Sequence, residues 1–178
     1  MALNATVHRC ALQVSDLDRA YYQTHQLTIA RHPSETDERM MVRVLAFALN
    51  ADDELGFTRG LSQDDEPEIW QHSLSDELLL WIEIGQPDEK RIRKACARSR
   101  RVLVYCHQHR AAGVWWKQIA AKLERFDRLS VFRLPEGIGE QLATLARRNM
   151  DLQCMVQDGE IWLSDENTNI NFALERLR

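Results

Sequence analysis

Long apolar runs are missing from this chain. The longest, Leu78-Leu79-Leu80-Trp81-Ile82, is the size of a strand, far short of the ~20 residues that cross a bilayer. The segment Met1-Ala2-Leu3-Asn4-Ala5-Thr6-Val7-His8-Arg9 lacks the apolar centre of a signal peptide. Cysteine is scarce and scattered: Cys10, Cys96, Cys106 and Cys154 form no Cys-x-x-Cys pair, which argues against a zinc site or a disulfide framework. No excess of positive charge exists either. A net charge of −4 supplies no global attraction to nucleic acid, so any basic footprint must be local. Internal repeats, low-complexity tracts and linkers are absent. These features lead us to expect a cytoplasmic protein with reduced thiols and no membrane partner.

What is present is an ordinary globular composition. With 178 residues, 44% of them apolar and 28% charged, one domain over 1–178 with a substantial core is expected. Residues 5–15 alternate in polarity and predict a strand. Asp16-Leu17-Asp18-Arg19 reads as a turn, and 21–31 as a returning strand. Ser34 is the expected N-cap of a helix, with Asp37 three residues on and an apolar stripe through Met41, Val42, Leu45 and Leu49. Glu38 falls on that same stripe. Short strands are expected near 55–58 and 69–70, with an acidic loop over 60–68 between them. Residues 77–84 are apolar on both faces and predict a central strand. A basic helix over 88–99, a strand over 102–106, a helix over 115–125, a strand over 130–134 and a helix over 136–150 follow. Asp158-Gly159 marks a hairpin between 152–156 and 160–163. The fold class is α+β, with a mixed sheet, flanking helices and β-hairpins at both ends.

Three acids stand out by position. Glu38 lies on an apolar helical stripe, Glu68 follows Pro67, and Glu83 interrupts Leu-Leu-Leu-Trp-Ile-Glu-Ile. Burying a carboxylate in such a strand requires a cation or hydrogen bonds. A divalent metal supplies the cation in one reading. In the other, Glu83 is paired with an arginine or faces an edge, Glu38 serves the helix start and Glu68 is solvated.

The order helix, strands, helix, strand resembles the core of the PD-(D/E)XK nuclease-like superfamily, an αβββαβ arrangement. That resemblance implies that Pro67-Glu68 matches the first acidic element, Glu83 the second acid and Glu38 the helix acid, all three holding Mg²⁺ or, in its place, Mn²⁺. Gly85 stands where the superfamily has its lysine. Lys94 or Lys90, on the following helix, is then the expected substitute, with Arg39 as a further source of positive charge.

A narrower resemblance covers most of the chain. Leu27-Thr28-Ile29-Ala30-Arg31-His32-Pro33-Ser34-Glu35-Thr36, Glu38-Arg39-Met40-Met41, Arg59-Gly60-Leu61, Asp65-Glu66-Pro67-Glu68, Leu80-Trp81-Ile82-Glu83-Ile84-Gly85-Gln86-Pro87-Asp88-Glu89, Trp115-Trp116 and 157–165 are similar to segments of the bacterial YaeQ family. That family implies a compact variant of the nuclease core and no assigned reaction. Two expectations result: a metal-dependent phosphodiesterase acting on nucleic acid, or a catalytically inactive module that binds nucleic acid or protein. In either, Lys90, Arg91, Arg93, Lys94 and Arg98 offer a phosphate-contact surface on helix 88–99, or merely a solvated face. His107-Gln108-His109 is expected in a loop without a metal, Trp115-Trp116 in the core rather than stacked on bases, and Ser34 as a cap rather than a nucleophile.

Overall fold

In a computed structural model, which describes residues 4–59 and 65–178, the N-terminal alternation forms an antiparallel hairpin. β1 (Thr6–Asp16) and β2 (Tyr21–Arg31) pair from Thr6↔Arg31 to Asp16↔Tyr21. Cys10, Leu12, Val14, Leu27 and Ile29 are buried, as a period of two requires. Asp16 fixes the turn by accepting the Arg19 amide at 3.0 Å and Arg19 Nε at 2.7 Å.

α1 (Asp37–Leu49) begins later than Ser34 predicts. Thr36 is the N-cap, its hydroxyl accepting the Arg39 amide at 3.1 Å. Ser34 instead lies 2.6 Å from His32 Nδ1. Both residues have capping chemistry, but only Thr36 sits in extended backbone immediately before the first helical turn.

The expected helix over 136–150 is shorter than predicted. α4 (Ile138–Ala143) stops early, and Asn149 already starts a strand. Met150, Leu152, Cys154 and Val156 are buried and the residues between them exposed. That two-residue period over Asn149–Gln157 overrides helical spacing. This strand, β8 once the chain is numbered through, pairs with β9 (Glu160–Ser164) around Asp158 (φ 52°) and Gly159 (φ 78°). Two positive φ values give the twist of a tight hairpin. The Asp18 carboxylate accepts both turn amides, at 2.7 and 2.9 Å. β10 (Asn169–Ala173) adds a strand that the sequence reading lacks.

The remaining elements are β3 (Leu55–Phe57), β4 (Ile69–His72), β5 (Leu78–Ile84), α2 (Glu89–Arg98), β6 (Arg101–Cys106), α3 (His109–Leu123), β7 (Leu129–Arg133) and β11 (Glu175–Arg176). The expected loop over 60–68 lies partly outside the described residues, at 60–64. α3 starts six residues before the predicted helix, so His109 belongs to the helix rather than to a loop.

The architecture of the described residues is α+β, with two mixed sheets and four helices. It divides into two units. One comprises the chain up to Ala51 together with Gly137–Leu174, and contains the sheet β10-β9-β8-β1-β2 with α1 and α4. The other comprises Asp52–Glu136 and Glu175–Arg178, and contains the sheet β11-β7-β6-β5-β4-β3 with α2 and α3. In the second unit β5, β6 and β7 are parallel, and α2 and α3 are their crossovers. β5 is central, and its core packs Trp81 with Ile92, Val104, Leu123 and Val131. Trp115 and Trp116 pack against that core, and Trp115 Nε1 donates to Pro87 O at 3.0 Å. No helix among the described residues is long and apolar enough to cross a membrane.

Candidate functional site

Register brings two of the acids together. β4 and β5 pair antiparallel with Ile69 opposite Ile82, and Glu68, just before β4, also donates its amide to Ile82 O at 3.0 Å, so residues 68 and 69 both meet 82 as in a bulge. Glu68 lies close enough to Glu83 for its charge to act on that carboxyl. Both are buried, at 6% and 3% exposure. Like charges buried side by side repel, so the pair needs compensation.

Compensation comes from Arg91 and Trp81. Glu83 Oε1 accepts Arg91 Nε at 2.6 Å and Trp81 Nε1 at 2.8 Å. Trp81 reaches because residues 81 and 83 share a face of β5. Arg91 reaches because Ile92 and Ala95 anchor α2 in the core, and because the Asp88 carboxylate caps the helix at the Arg91 amide, 2.7 Å away. Arg91 Nη2 also donates to Glu66 O at 2.8 Å. Burial pushes the Glu83 carboxyl above its usual range, and Glu68 pushes the same way; Arg91 and Trp81 pull it back without overcoming burial.

The expected lysines lie elsewhere on α2. Lys94 Nζ pairs with Asp65, and Arg98 Nη1 donates to Asp65 O at 2.7 Å. The Lys94 ammonium holds the Asp65 carboxyl below the usual carboxylate range. Lys90 is exposed. Asp88, Lys90, Arg91 and Lys94 line a groove of about 320 Å³ beside the acid pair.

Gly85, at the superfamily's lysine position, has φ +105°. A Cβ there meets no heavy atom within 4 Å, so the obstacle to a lysine is backbone strain rather than space. Glu38 is carried by the other unit, on α1, where it packs over Gly139 of α4. A Cβ on Gly139 would fall 2.2 Å from Glu38 Oε1, so the absence of a side chain at 139 makes room for that carboxylate.

The N–H donors of Arg91 and Trp81 share Glu83 Oε1. Among the described residues no group of three or more His, Cys, Asp or Glu side chains is arranged to hold a metal. As built, the pair holds the Arg91 guanidinium on Glu83. Arg91 is the residue that sequence reasoning passed over in naming Lys90 and Lys94. The available signal was the buried Glu83 itself, for which an arginine partner was one of the two readings.

Two mixed sheets, parallel βαβ crossovers and a buried carboxylate pair closed by an arginine define the class: an α+β protein with an acid–guanidinium pocket at the start of a basic helix. The particular family follows from comparison. The model of the YaeQ protein family matches residues 1–174, and the chain belongs to that family. The Salmonella typhi protein described as uncharacterized protein YaeQ is 48% identical over 174 residues, 98% of this chain and 96% of that one. Its Escherichia coli K12 counterpart is 47% identical over the same shares. The crystal structure of YaeQ from Xanthomonas axonopodis pv. citri superposes with a TM-score of 0.94 at 46% identity, covering 98% of each chain. That of the Pseudomonas syringae protein gives 0.93 at 34% identity, covering 98% of this chain and 96% of the other.

Proposed function

We propose that this protein binds nucleic acid through the phosphate backbone, on a variant of the PD-(D/E)XK nuclease core whose acid pair holds an arginine instead of serving catalysis. One observation carries the reading: Arg91 sits on Glu83 at 2.6 Å, while Lys90 and Lys94 line the groove alongside. The acids are thereby spent on positioning a cation. Lys90, Arg93, Lys94 and Arg98 are exposed on α2, and their three- and four-residue spacing sets them along one flank of the helix. Such a row neutralises successive phosphates and releases condensed counterions, without reading base sequence.

The test is fluorescence anisotropy with a labelled 20-mer, single-stranded and duplex, in EDTA. Saturable binding should persist without metal and weaken as salt rises. Replacing Lys90 and Arg93 by alanine, which leaves the Lys94–Asp65 and Arg91–Glu83 pairs in place, should reduce the log–log salt slope by about 2 and affinity by about tenfold or more. Binding that is unchanged by the double substitution, or absent at low salt, would remove α2 as the contact surface.

The second reading is a phosphodiesterase that depends on Mg²⁺ or Mn²⁺. The juxtaposition of Glu68 and Glu83 favours it, since two buried carboxylates on neighbouring strands are a costly feature for a binding module to keep. Calorimetric titration of each ion into the wild type and Glu83→Gln separates the two readings. On the binding reading neither protein takes up an ion. Uptake by the wild type that vanishes in the variant, with cleavage of the 20-mer on adding metal, selects the phosphodiesterase.

A further inference from the structure

In the other unit, β8 is paired along its whole length on one side only. β1 runs beside it from Arg9↔Asn149 to Asp16↔Val156. β9 covers only the second half, from Gln153↔Ser164 to Gln157↔Glu160. Beyond Ser164 the chain turns away. Asp165 Oδ1 holds that turn by accepting the Asn167 and Thr168 amides at 2.9 and 2.7 Å. The first half of β8, residues 149–152, therefore has no strand beside it on that side among the described residues.

Backbone direction shows which groups face the gap. The Arg9 amide donates to Arg148 O at 2.8 Å and the Leu17 amide to Val156 O at 2.8 Å, so even-numbered residues of β8 direct their backbone groups toward β1. Odd-numbered residues direct theirs the other way. At Gln153 those groups meet β9. At Asn149 and Asp151 they face a groove of about 520 Å³, walled by β8 on one side and by 165–167 on the other, with Arg147 at one end. Four residues of strand at ~3.3 Å each make an edge roughly 13 Å long.

We propose that this groove binds a short, extended, basic peptide segment, which adds to the sheet antiparallel to β8 along the line that β9 vacates. The ladder gives affinity through the amides and carbonyls of Asn149 and Asp151, and flanking side chains give selectivity. Asp151 on β8 and Glu166 on the turn supply carboxylates on opposite walls, and both residues are exposed. Lysine or arginine side chains alternating along the peptide meet them. A second copy of this chain is disfavoured as the occupant. Two-fold pairing of β8 edges would bring Asp151 of one copy near that of the other, and like-charged edges resist self-pairing.

The experiment uses the full chain, ¹⁵N-labelled, titrated with N-acetyl, C-amidated Lys-Val-Lys-Val-Lys and with Glu-Val-Glu-Val-Glu as control. Saturable amide shifts centred on Asn149 and Asp151 are expected with the basic peptide, at least fivefold tighter than with the acidic one. Asp151→Pro removes the amide that faces the groove and leaves those facing β1, and proline is tolerated at such an edge. It should weaken the basic peptide at least tenfold. Should that variant fail to fold, the paired substitution Asp151→Lys and Glu166→Lys, at exposed positions, should reverse the preference between the peptides. The proposal is overturned by any of three results: no saturable shift at millimolar peptide, equal affinity for both peptides, or shifts at 149 and 151 that grow with protein concentration alone. The last would assign the edge to a second copy.

Discussion

Replacing Arg43 by methionine should destabilise the protein by about 3–5 kcal/mol, the usual consequence of stranding one half of a buried ion pair. Arg43 and Glu35 are 3% and 4% exposed. Their contact is a fork, with Arg43 Nε on Glu35 Oε1 at 2.8 Å and Nη2 on Oε2 at 2.9 Å. Nη2 also donates to Ala30 O at 2.9 Å, tying α1 to the end of β2. Without the guanidinium, Glu35 loses its fork, and the approach of Arg39 Nη1 is longer, at 3.6 Å. The companion experiment is the double substitution Glu35→Leu with Arg43→Met. It removes both charges, so it should cost well under the sum of the two single changes, and less than Arg43→Met alone. Urea denaturation of all four proteins in the cycle measures this. Additive single costs would mean that the fork contributes through packing rather than charge.

Arg91→Ala should be the second most damaging change, at about 2–3 kcal/mol at pH 7. The discount relative to Arg43 reflects the Arg91 side chain, which is 27% exposed and partly screened by solvent. The distinguishing mark is pH dependence. Burial raises the Glu83 carboxyl above its ordinary value of 4.5, so the folded protein holds that proton more tightly than the unfolded chain does. The stability this group contributes is full below 4.5 and is lost as pH rises through the raised folded value. Arg91 is the largest influence opposing that rise. Removing it moves the folded value further up and deepens the loss at neutral pH. Arg91→Ala should therefore cost distinctly less at pH 4 than at pH 7, and Glu83→Gln in the same chain should recover much of the difference. Equal costs at the two pH values would show that the Arg91–Glu83 contact is not electrostatic in effect.

The elements that carry one clear period were legible. The first hairpin, β5 and the Asp158-Gly159 turn each satisfy a local rule that tertiary packing does not oppose. α4 was misjudged because Leu142 and Leu145 continue a helical spacing up to the point where Met150, Leu152 and Cys154 impose a two-residue one. β10 is five residues, Asn169–Ala173, with only Ile170 and Phe172 buried, too short a pattern to separate from a loop. At the candidate site Glu68 and Glu83 were individually conspicuous, but their closeness depends on how the chain entering β4 meets β5, which no local rule supplies. Arg91 differs from Lys90 and Lys94 only in which way the helix turns it. That orientation is set by Ile92 and Ala95 entering the core, a fact about packing rather than about the basic run.

The parallel partnership of β1 with β8 has a consequence for synthesis. The ladder joins Arg9 to Asn149, so about 140 residues must be translated before the hairpin of β1 and β2 acquires its neighbour. At roughly 5–20 residues per second, that wait is about 7–28 s. Throughout it, a strand destined for the middle of a sheet presents an unsatisfied row of amides and carbonyls, with Leu12 and Val14 on its apolar face. The nascent chain is thus most prone to misassociation at the β1–β2 hairpin. Codon choices or chaperone contacts that shorten the interval, or cover that hairpin, should raise the yield of folded protein more than any equal effort spent on the second unit.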